Sequence, residues 1–294
     1  MSGALHTDAD FTAIRHTDTY PAIDPQKRDL SGKYVFITSA SKGIGRATAL
    51  SFAKPGCAGI GVGARSDLLS LVPHITQAAK DAGNPAPQVV AVTLDVTDAD
   101  SVSAAAASIA SFPRLNILIN NAGYLEKRKK IGDSDPSEWQ KTWSVNVIGP
   151  YLVTRAFLPQ ILKVGDKVVV NLSSVAAHLR SPGGSAYQTS KLAVLRFSEF
   201  LGVDHGPDGV LAFAVHPGGA LTDMGKRLPE QTQKTMTEAP ELCADMLVFL
   251  TEKRREWLAA RYISLTCGVE ELLGKEDKLK VRMRDRIIVL YSIN

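Results

Sequence analysis

Only three cysteines occur in the 294 residues, Cys57, Cys243 and Cys267, far apart and without CxxC or Cys/His spacing. A disulfide scaffold and a structural metal site are therefore poor readings, no metal is expected, and a reduced compartment fits best. Long apolar runs are missing too: no stretch approaches eighteen residues, and segments such as Val168 to Val170 suit buried strands, so no membrane span is expected. Neither sign of charge dominates, since 34 Lys and Arg face 30 Asp and Glu for a net +4, which points to no nucleic-acid or membrane partner. The first thirty residues lack the apolar core of a signal peptide. They carry Asp8, Asp10, Asp18, Asp24 and Asp29, unlike an acidic-poor transit peptide, so a cytoplasmic location is expected. What remains is an ordinary globular composition, 45% apolar and 22% charged, long enough for one large domain or two small ones.

Residues 1–32 show neither helical nor strand period and contain Pro21 and Pro25, which predicts an arm over the domain surface. From Lys33 the chain alternates short β-branched runs with Ala-rich helical patterns. The predicted strands are Tyr34 to Thr38, Ile60 to Gly63, Val89 to Leu94, Ile117 to Ile119, Val168 to Leu172, Val210 to Val215 and Arg261 to Leu265. Helices are predicted over Gly45 to Lys54, Leu68 to Gly83, Ser101 to Ser111, Ser137 to Leu162, Ser185 to Leu201 and Pro240 to Arg254. This alternation implies an α/β fold, a Rossmann-type doubly wound parallel sheet forming a single domain over 33–294 with helices on both faces. Runs such as Val168-Val169-Val170 are continuous rather than alternating, as strands covered on both faces require. A polar insertion at about 220–238 is placed over the active-site edge. The extension at about 269–294 includes six basic and three acidic residues between Lys275 and Arg286 and reads as a solvated terminal helix.

Directly after the first strand stands Thr38-Ser39-Ala40-Ser41-Lys42-Gly43-Ile44-Gly45, and a helix starts at once. A Gly-rich turn between strand and helix lets backbone approach a pyrophosphate, while the helix N-terminus offers unpaired N–H groups and a positive dipole end. A dinucleotide is the expected ligand. An acid about twenty residues further on would bind the ribose hydroxyls, but Ala64 stands there, nineteen after Gly45, followed by Arg65. Arg65 can fork onto a 2′-phosphate and Lys42 can approach it as a point charge, which favours NADP(H) over NAD(H).

Tyr187 and Lys191 lie four residues apart, on one face of the predicted helix, and Ser174 lies thirteen residues before Tyr187 at the end of a buried strand. In such sheets ligands sit at the carboxyl ends of the strands, so the three groups can converge on one carbonyl. A nearby ammonium is expected to lower the phenol toward a working range; Tyr187 then exchanges a proton with the substrate oxygen while the Ser174 hydroxyl stabilises developing charge.

With these residues the chain resembles the short-chain dehydrogenase/reductase family from Ser31 to about Gly268. Thr38 to Gly45 is similar to the TGxxxGxG turn, Asp95 to the adenine-contacting acid, Asn120-Asn121-Ala122-Gly123 to NNAG, and Pro217-Gly218 with Thr222 to PGxxxT. Ser174, Tyr187 and Lys191 match the catalytic serine and YxxxK, and Asn146 the fourth member, which in that family holds a water relay through the lysine. The resemblance implies a cofactor set of Thr38, Ser39, Ser41, Lys42, Gly43, Ile44, Gly45, Arg65, Asp95, Val96, Asn121, Ala122, Gly123, Pro217, Gly218 and Thr222, with Tyr187 and Lys191 shared. It also implies a homo-oligomer, dimer or tetramer. Arm and tail look most like reductases of fungal secondary metabolism.

Two features depart from the family pattern. Ser39 replaces the first glycine of the turn, adding a Cβ where the backbone should be tight; Gly43 and Gly45 remain, so the turn is expected to tolerate it. Cys267-Gly268-Val269-Glu270 stands where many relatives end soon after Asp-Gly-Gly. The substrate pocket is expected from His178 to Arg180, Tyr124 to Glu126 and Ala220 to Gln233. The basic run Lys127 to Lys130 either attracts an acidic substrate or is a solvated loop. The leading function is NADPH-dependent hydride transfer between nicotinamide and a small-molecule carbonyl or secondary alcohol. An isomerase, dehydratase or cyclase using the same Tyr/Lys pair is the alternative, and a non-enzymatic NADP sensor a third.

Overall fold

The computed structural model describes residues 11–281. Its order is β1 (Tyr34–Thr38), α1 (Gly43–Ala53), β2 (Gly59–Ala64), α2 (Leu71–Asp81), β3 (Gln88–Thr93), α3 (Ala99–Ser108) and β4 (Ile117–Asn120). There follow α4 (Pro136–Trp143), α5 (Gly149–Ile161), β5 (Val168–Leu172), α6 (Ser185–His205), β6 (Leu211–His216), α7 (Glu230–Gln233), α8 (Pro240–Glu252), β7 (Tyr262–Ser264), α9 (Val269–Gly274) and α10 (Glu276–Val281). The seven strands form one sheet in the order β3-β2-β1-β4-β5-β6-β7. Every paired neighbour is parallel. This is a Rossmann-type doubly wound sheet, and its order reverses between β1 and β4.

The continuous apolar runs serve two cores at once. Val35 and Ile37 of β1, Ile117 and Ile119 of β4, and Val168 and Val170 of β5 enter one buried cluster with α1, α2 and α8. Phe36, Leu118 and Val169, one residue out of phase, enter the other with α3 and α5. With a period of two and both faces covered, these positions are apolar. In β2, a Cβ on Gly61 would lie 2.4 Å from the Phe36 ring, so the glycine lets that ring lie across the strand.

One predicted helix divides. Between Ser137 and Leu162 the chain forms α4, a π-turn over Ser144–Ile148, and α5. Pro150 has no N–H to donate to the Asn146 carbonyl four residues back, and the widened turn absorbs that loss. The arm also differs from a surface strip. Ile23 and Leu30 are fully buried in the first cluster. His16 N–H donates to Thr266 O at 2.8 Å, and Ala239 N–H to Thr17 O at 2.7 Å. Of the predicted tail helix, Glu276–Val281 is present and Leu279 is buried, its carbonyl accepting from Arg261 Nη2 at 2.6 Å. Residues 282–286 of that prediction lie outside the described residues. No described helix is long and apolar enough to cross a membrane.

Candidate active site

The predicted site residues gather at the carboxyl ends of β1 to β6 and on the π-turn and α6 beside them, along the sheet edge where the strand order reverses between β1 and β4. Thr38 ends β1, and its hydroxyl accepts from the N–H groups of Asn121 and Ala122 at 2.9 and 3.0 Å. Asn121 Nδ2 donates back to the carbonyls of Thr38 and Ser39 at 2.9 and 3.2 Å, so the segment after β4 braces the glycine turn. Ser39 takes φ 56°, a left-handed conformation in which glycine is unstrained and serine is not. At Gly45 a Cβ would lie 2.4 Å from Ser39 O and 2.5 Å from Asn121 Nδ2. That position must be bare. Lys42 is the N-cap of α1 with no side-chain cap, and no acid stands in the first turn. The first N–H groups of the helix are thus left for an anion, and a pyrophosphate fits the cradle.

Around the cradle, Ser66 Oγ donates to Ser41 Oγ at 2.8 Å. Arg65 lies 3.9 Å from Asp95 Oδ2. Burial pushes the Asp95 carboxyl up, but hydrogen bonds from Thr97 and the Arg65 cation outweigh it and hold the group below its ordinary range. Thr222 comes back over the turn, its Cγ2 3.1 Å from where a Gly43 Cβ would stand. Its neighbour Asp223 pairs with Lys42 at 2.6 Å. Val96 packs on Gly149, leaving no room for a Cβ there. Gly218, after Pro217, has φ 89°, and Gly219 N–H donates to Glu238 Oε2 at 3.2 Å.

The four catalytic candidates converge. Ser174 ends the β5 connection as an N-cap, its Oγ accepting from Ala176 N–H at 3.1 Å, and it hydrogen-bonds Tyr187. Lys191 is 4% exposed; its Nζ donates to Leu172 O at 2.7 Å and lies 5.7 Å from the Tyr187 ring centroid. Asn146, fully buried in the π-turn, accepts from Tyr124 N–H at 2.7 Å and donates to Tyr124 O and Ser190 Oγ, both at 2.9 Å. A Cβ on Gly123 would stand 3.7 Å from both Asn146 Oδ1 and Lys191 Nζ, so NNAG, the π-turn and α6 meet at one point.

The expected lowering of the Tyr187 phenol by Lys191 is not what dominates. Burial pushes the phenol up to about 12, against the hydrogen bond with Ser174 and with the Glu126 charge adding to the rise. Burial equally pushes the Lys191 ammonium down to about 8. The ammonium is aimed at the Leu172 carbonyl, so both groups feel desolvation first. Burial thus favours the protonated phenol.

His178, Leu179 and Arg180 line an open groove of about 750 Å³ together with Lys129, Lys130 and Leu192. The 220–233 segment is not part of that lining. It covers the glycine turn instead and reaches the segment after β4, where Arg227 donates to Leu125 O at 3.4 Å and lies over the Tyr124 ring. His178 packs edge-on against Tyr262. Burial pushes His216, before Pro217, down to about 3, with Arg15 and His178 adding to the fall. Sequence reasoning missed Ser190, which accepts from Asn146 and donates to Tyr187 O at 2.8 Å. It placed Glu126 only in the pocket wall, whereas the carboxylate accepts from Tyr187 N–H at 3.2 Å. Position i+3 from the tyrosine is the available signal for Ser190; none marks Glu126. Among the described residues no group of three or more His, Cys, Asp or Glu stands together to hold a metal.

Comparison with known proteins bears on this arrangement. Short chain dehydrogenase mpl6 of Monascus purpureus is 48% identical over 289 residues, covering 95% of this chain and 99% of the relative. Short chain dehydrogenase pigC of Monascus ruber is 48% identical over 92% of this chain and 91% of its own. A short chain dehydrogenase from Salmonella enterica serovar Typhi superposes with a TM-score of 0.73 at 26% identity, covering 84% of this chain and 99% of that one. A 3-ketoacyl-(acyl-carrier-protein) reductase from Brucella melitensis, complexed with NADH, shares the fold with a TM-score of 0.69 at 24% identity, over 80% of this chain and 97% of that one. The short chain dehydrogenase family model matches residues 33–233, the span that holds the cradle, NNAG and the tyrosine and lysine of α6. The chain belongs to the short-chain dehydrogenase family, whose members are generally oxidoreductases acting on CH–OH and C=O groups with a nicotinamide cofactor.

Proposed function

We propose that the protein is an NADPH-dependent carbonyl reductase, reversible as an alcohol dehydrogenase, with Tyr187 as the general acid and base. The observation that carries this reading is the convergence of a neutral, buried phenol, its hydrogen-bond partner Ser174 and a buried ammonium beside an uncapped, carboxylate-free helix N-terminus. Thr38, the turn from Ser39 to Gly45, Asn121 to Gly123, Val96, Pro217, Gly218 and Thr222 would hold the dinucleotide, with Asp95 at its adenine end. When bound, the reduced nicotinamide supplies the hydride.

The chain's own groups handle the proton. Tyr187 Oη gives its proton to the carbonyl oxygen as negative charge develops there. The Ser174 oxygen already accepts the Ala176 N–H, which leaves its hydroxyl hydrogen for the phenol or the substrate oxygen. Lys191 spends one of its three N–H bonds on Leu172 O and has two for the ribose and the relay. Pro150 has no N–H to give the Asn146 carbonyl four residues back, and in the proposed relay that oxygen would hold the water. Arg65 and Lys42 favour NADPH, because neither the Lys42–Asp223 pair nor the Arg65–Asp95 pair is buried and a phosphate can compete for both cations.

Tyr187→Phe tests the reading. Reduction of a carbonyl panel with NADPH is expected to fall by about 10²–10⁴ while NADPH affinity stays within about twofold. Unchanged turnover would remove Tyr187 from the chemistry.

A further inference from the structure

The first turn of α6 carries Tyr187 at its third position, and nothing on the helix caps it. Gly184 is the N-cap and has no side chain to offer, so the leading N–H groups need acceptors from elsewhere. The Tyr187 N–H finds one on a distant segment, Glu126 Oε1 at 3.2 Å. Glu126 is only 8% exposed, and a carboxylate is rarely so buried without partners. Its second oxygen lies 3.1 Å from Thr142 Oγ1 of α4, whose one hydroxyl hydrogen it shares with Glu138 O at 2.9 Å.

We propose that Glu126 is a positioning residue for the reductase chemistry, capping the first turn of α6 from outside the helix and thereby setting where the Tyr187 phenol stands relative to Ser174 and Lys191. One turn further along, the helix is already pinned. Ser173 Oγ donates to Lys191 O at 2.8 Å, and Lys191 Nζ to Leu172 O at 2.7 Å. The turn before the helix is tied by Lys129 N–H to Gly183 O at 3.2 Å and by Ser181 N–H to Gln188 Oε1 at 3.0 Å, but within the first turn of α6 the N–H of Tyr187 itself is held by Glu126. A charge suits this position, since a carboxylate at a helix N-terminus is favoured by the dipole. Burial is what chiefly raises the phenol, and the same charge adds to that rise. Charged groups around this corner are Lys127, Lys129, Asp133, Asp135 and Glu138, which share a cavity with Glu126, together with Lys191 on α6 and Lys141 and Arg227 over the Tyr124 ring.

This inference rests on the proposed reductase activity, and its test separates the two. Glu126→Ala and Glu126→Gln are compared with the parent protein, first by amide hydrogen exchange of the segment 183–190 without substrate. Exchange is expected to quicken about tenfold in the Ala variant and to stay near the parent rate in the Gln variant, whose Oε1 still accepts the N–H. Turnover of a carbonyl with NADPH is then expected to drop in kcat by roughly ten- to a hundredfold in the Ala variant, with NADPH affinity within about twofold. The Gln variant should recover most of kcat and move the alkaline limb of the pH–rate profile to lower pH, because the charge opposing the phenolate is gone. Unchanged exchange in the Ala variant overturns the cap. Altered exchange with unchanged kcat, or a Gln variant as slow as Ala with an unmoved pH profile, overturns the positioning role. If the parent protein reduces no carbonyl, the reductase reading fails, and the exchange result alone then decides whether the cap exists. If the Ala variant does not fold, the pH profile of the Gln variant decides.

Discussion

Replacing Lys191 by methionine keeps the length of the side chain and removes its charge, and the structure sets the size of the effect. Lys191 is 4% exposed, and burial brings its ammonium from 10.5 down to about 8. Each unit is about 1.36 kcal/mol, so holding the charged form inside the fold costs about 3 kcal/mol at pH 7. The methionine also gives up the hydrogen bond to Leu172 O, leaving a buried carbonyl without that donor at a cost of about 1–3 kcal/mol that does not vary with pH. At pH 7 the variant is therefore expected to equal the parent or exceed it by up to about 2 kcal/mol, while losing turnover. The pH dependence is the sharper signature. Between about pH 8 and 10.5 the unfolded chain holds the Lys191 proton and the folded chain has released it, so the parent gains stability as pH rises through this window. The methionine variant gains nothing from this group. The difference, variant minus parent, should fall by about 2–3 kcal/mol from pH 7 to pH 10. Urea unfolding of both proteins at pH 7, 8, 9 and 10, with equal m values as the control, measures it. A difference that stays constant across that range would refute the claim that Lys191 is a buried, destabilising charge.

Ser39→Gly removes a Cβ from a residue at φ 56°, relieving about 1–2 kcal/mol of left-handed strain against about 0.5–1 kcal/mol of added chain entropy. The urea midpoint is expected to rise slightly, and a fall would mean that the serine is not strained. Substituting both Lys42 and Arg65 by alanine should weaken NADPH by at least tenfold, about 1.4 kcal/mol, and leave NADH within about twofold as followed by tryptophan quenching. Equal losses for the two cofactors would show that neither cation meets the 2′-phosphate.

The sheet was legible because strands covered on both faces run apolar without alternation, and Val168-Val169-Val170 and Ile117-Leu118-Ile119 can serve neither an alternating strand nor an amphipathic helix. The glycine turn was legible for a steric reason that acts at short range, the backbone of Ser39 and the Asn121 amide crowding Gly45. What escaped was set by partners far away in sequence. The arm has no period because it is held by single anchors, Ile23, Leu30 and the backbone of His16 and Thr17, each fitting a place made by other segments. The split at Ser144–Ile148 was signalled by Pro150, but a proline near a helix start also reads as an ordinary first-turn residue. The phenol's acidity could not be read from the Tyr187/Lys191 spacing, since spacing reports proximity and says nothing of the burial that outweighs it.

Counting the unspent hydrogen-bond capacity at the site separates struts from groups free to act. Both N–H bonds of the Asn121 amide go to the carbonyls of Thr38 and Ser39. The Asn146 amide is committed at Oδ1 to Tyr124 N–H and at Nδ2 to Tyr124 O and Ser190. Deeper in, Asn120 Nδ2 donates to Asn171 Oδ1 across the β4–β5 pair at 2.8 Å, and Asn171 Nδ2 donates to Ser198 of α6 at 2.9 Å, which locks that helix to the sheet. The Asn146 amide has little left to give a ligand, so the proposed relay would run through its backbone carbonyl. Lys191 is the opposite case, a buried ammonium with one of three donors engaged. A fold gains nothing by burying such a group half-satisfied at a cost of about 3 kcal/mol, and a water-filled or apolar substitute would be more stable. In the proposed reductase chemistry the two remaining N–H bonds would find their acceptors when cofactor and substrate arrive, so the stability of the methionine variant and its expected loss of turnover test one arrangement.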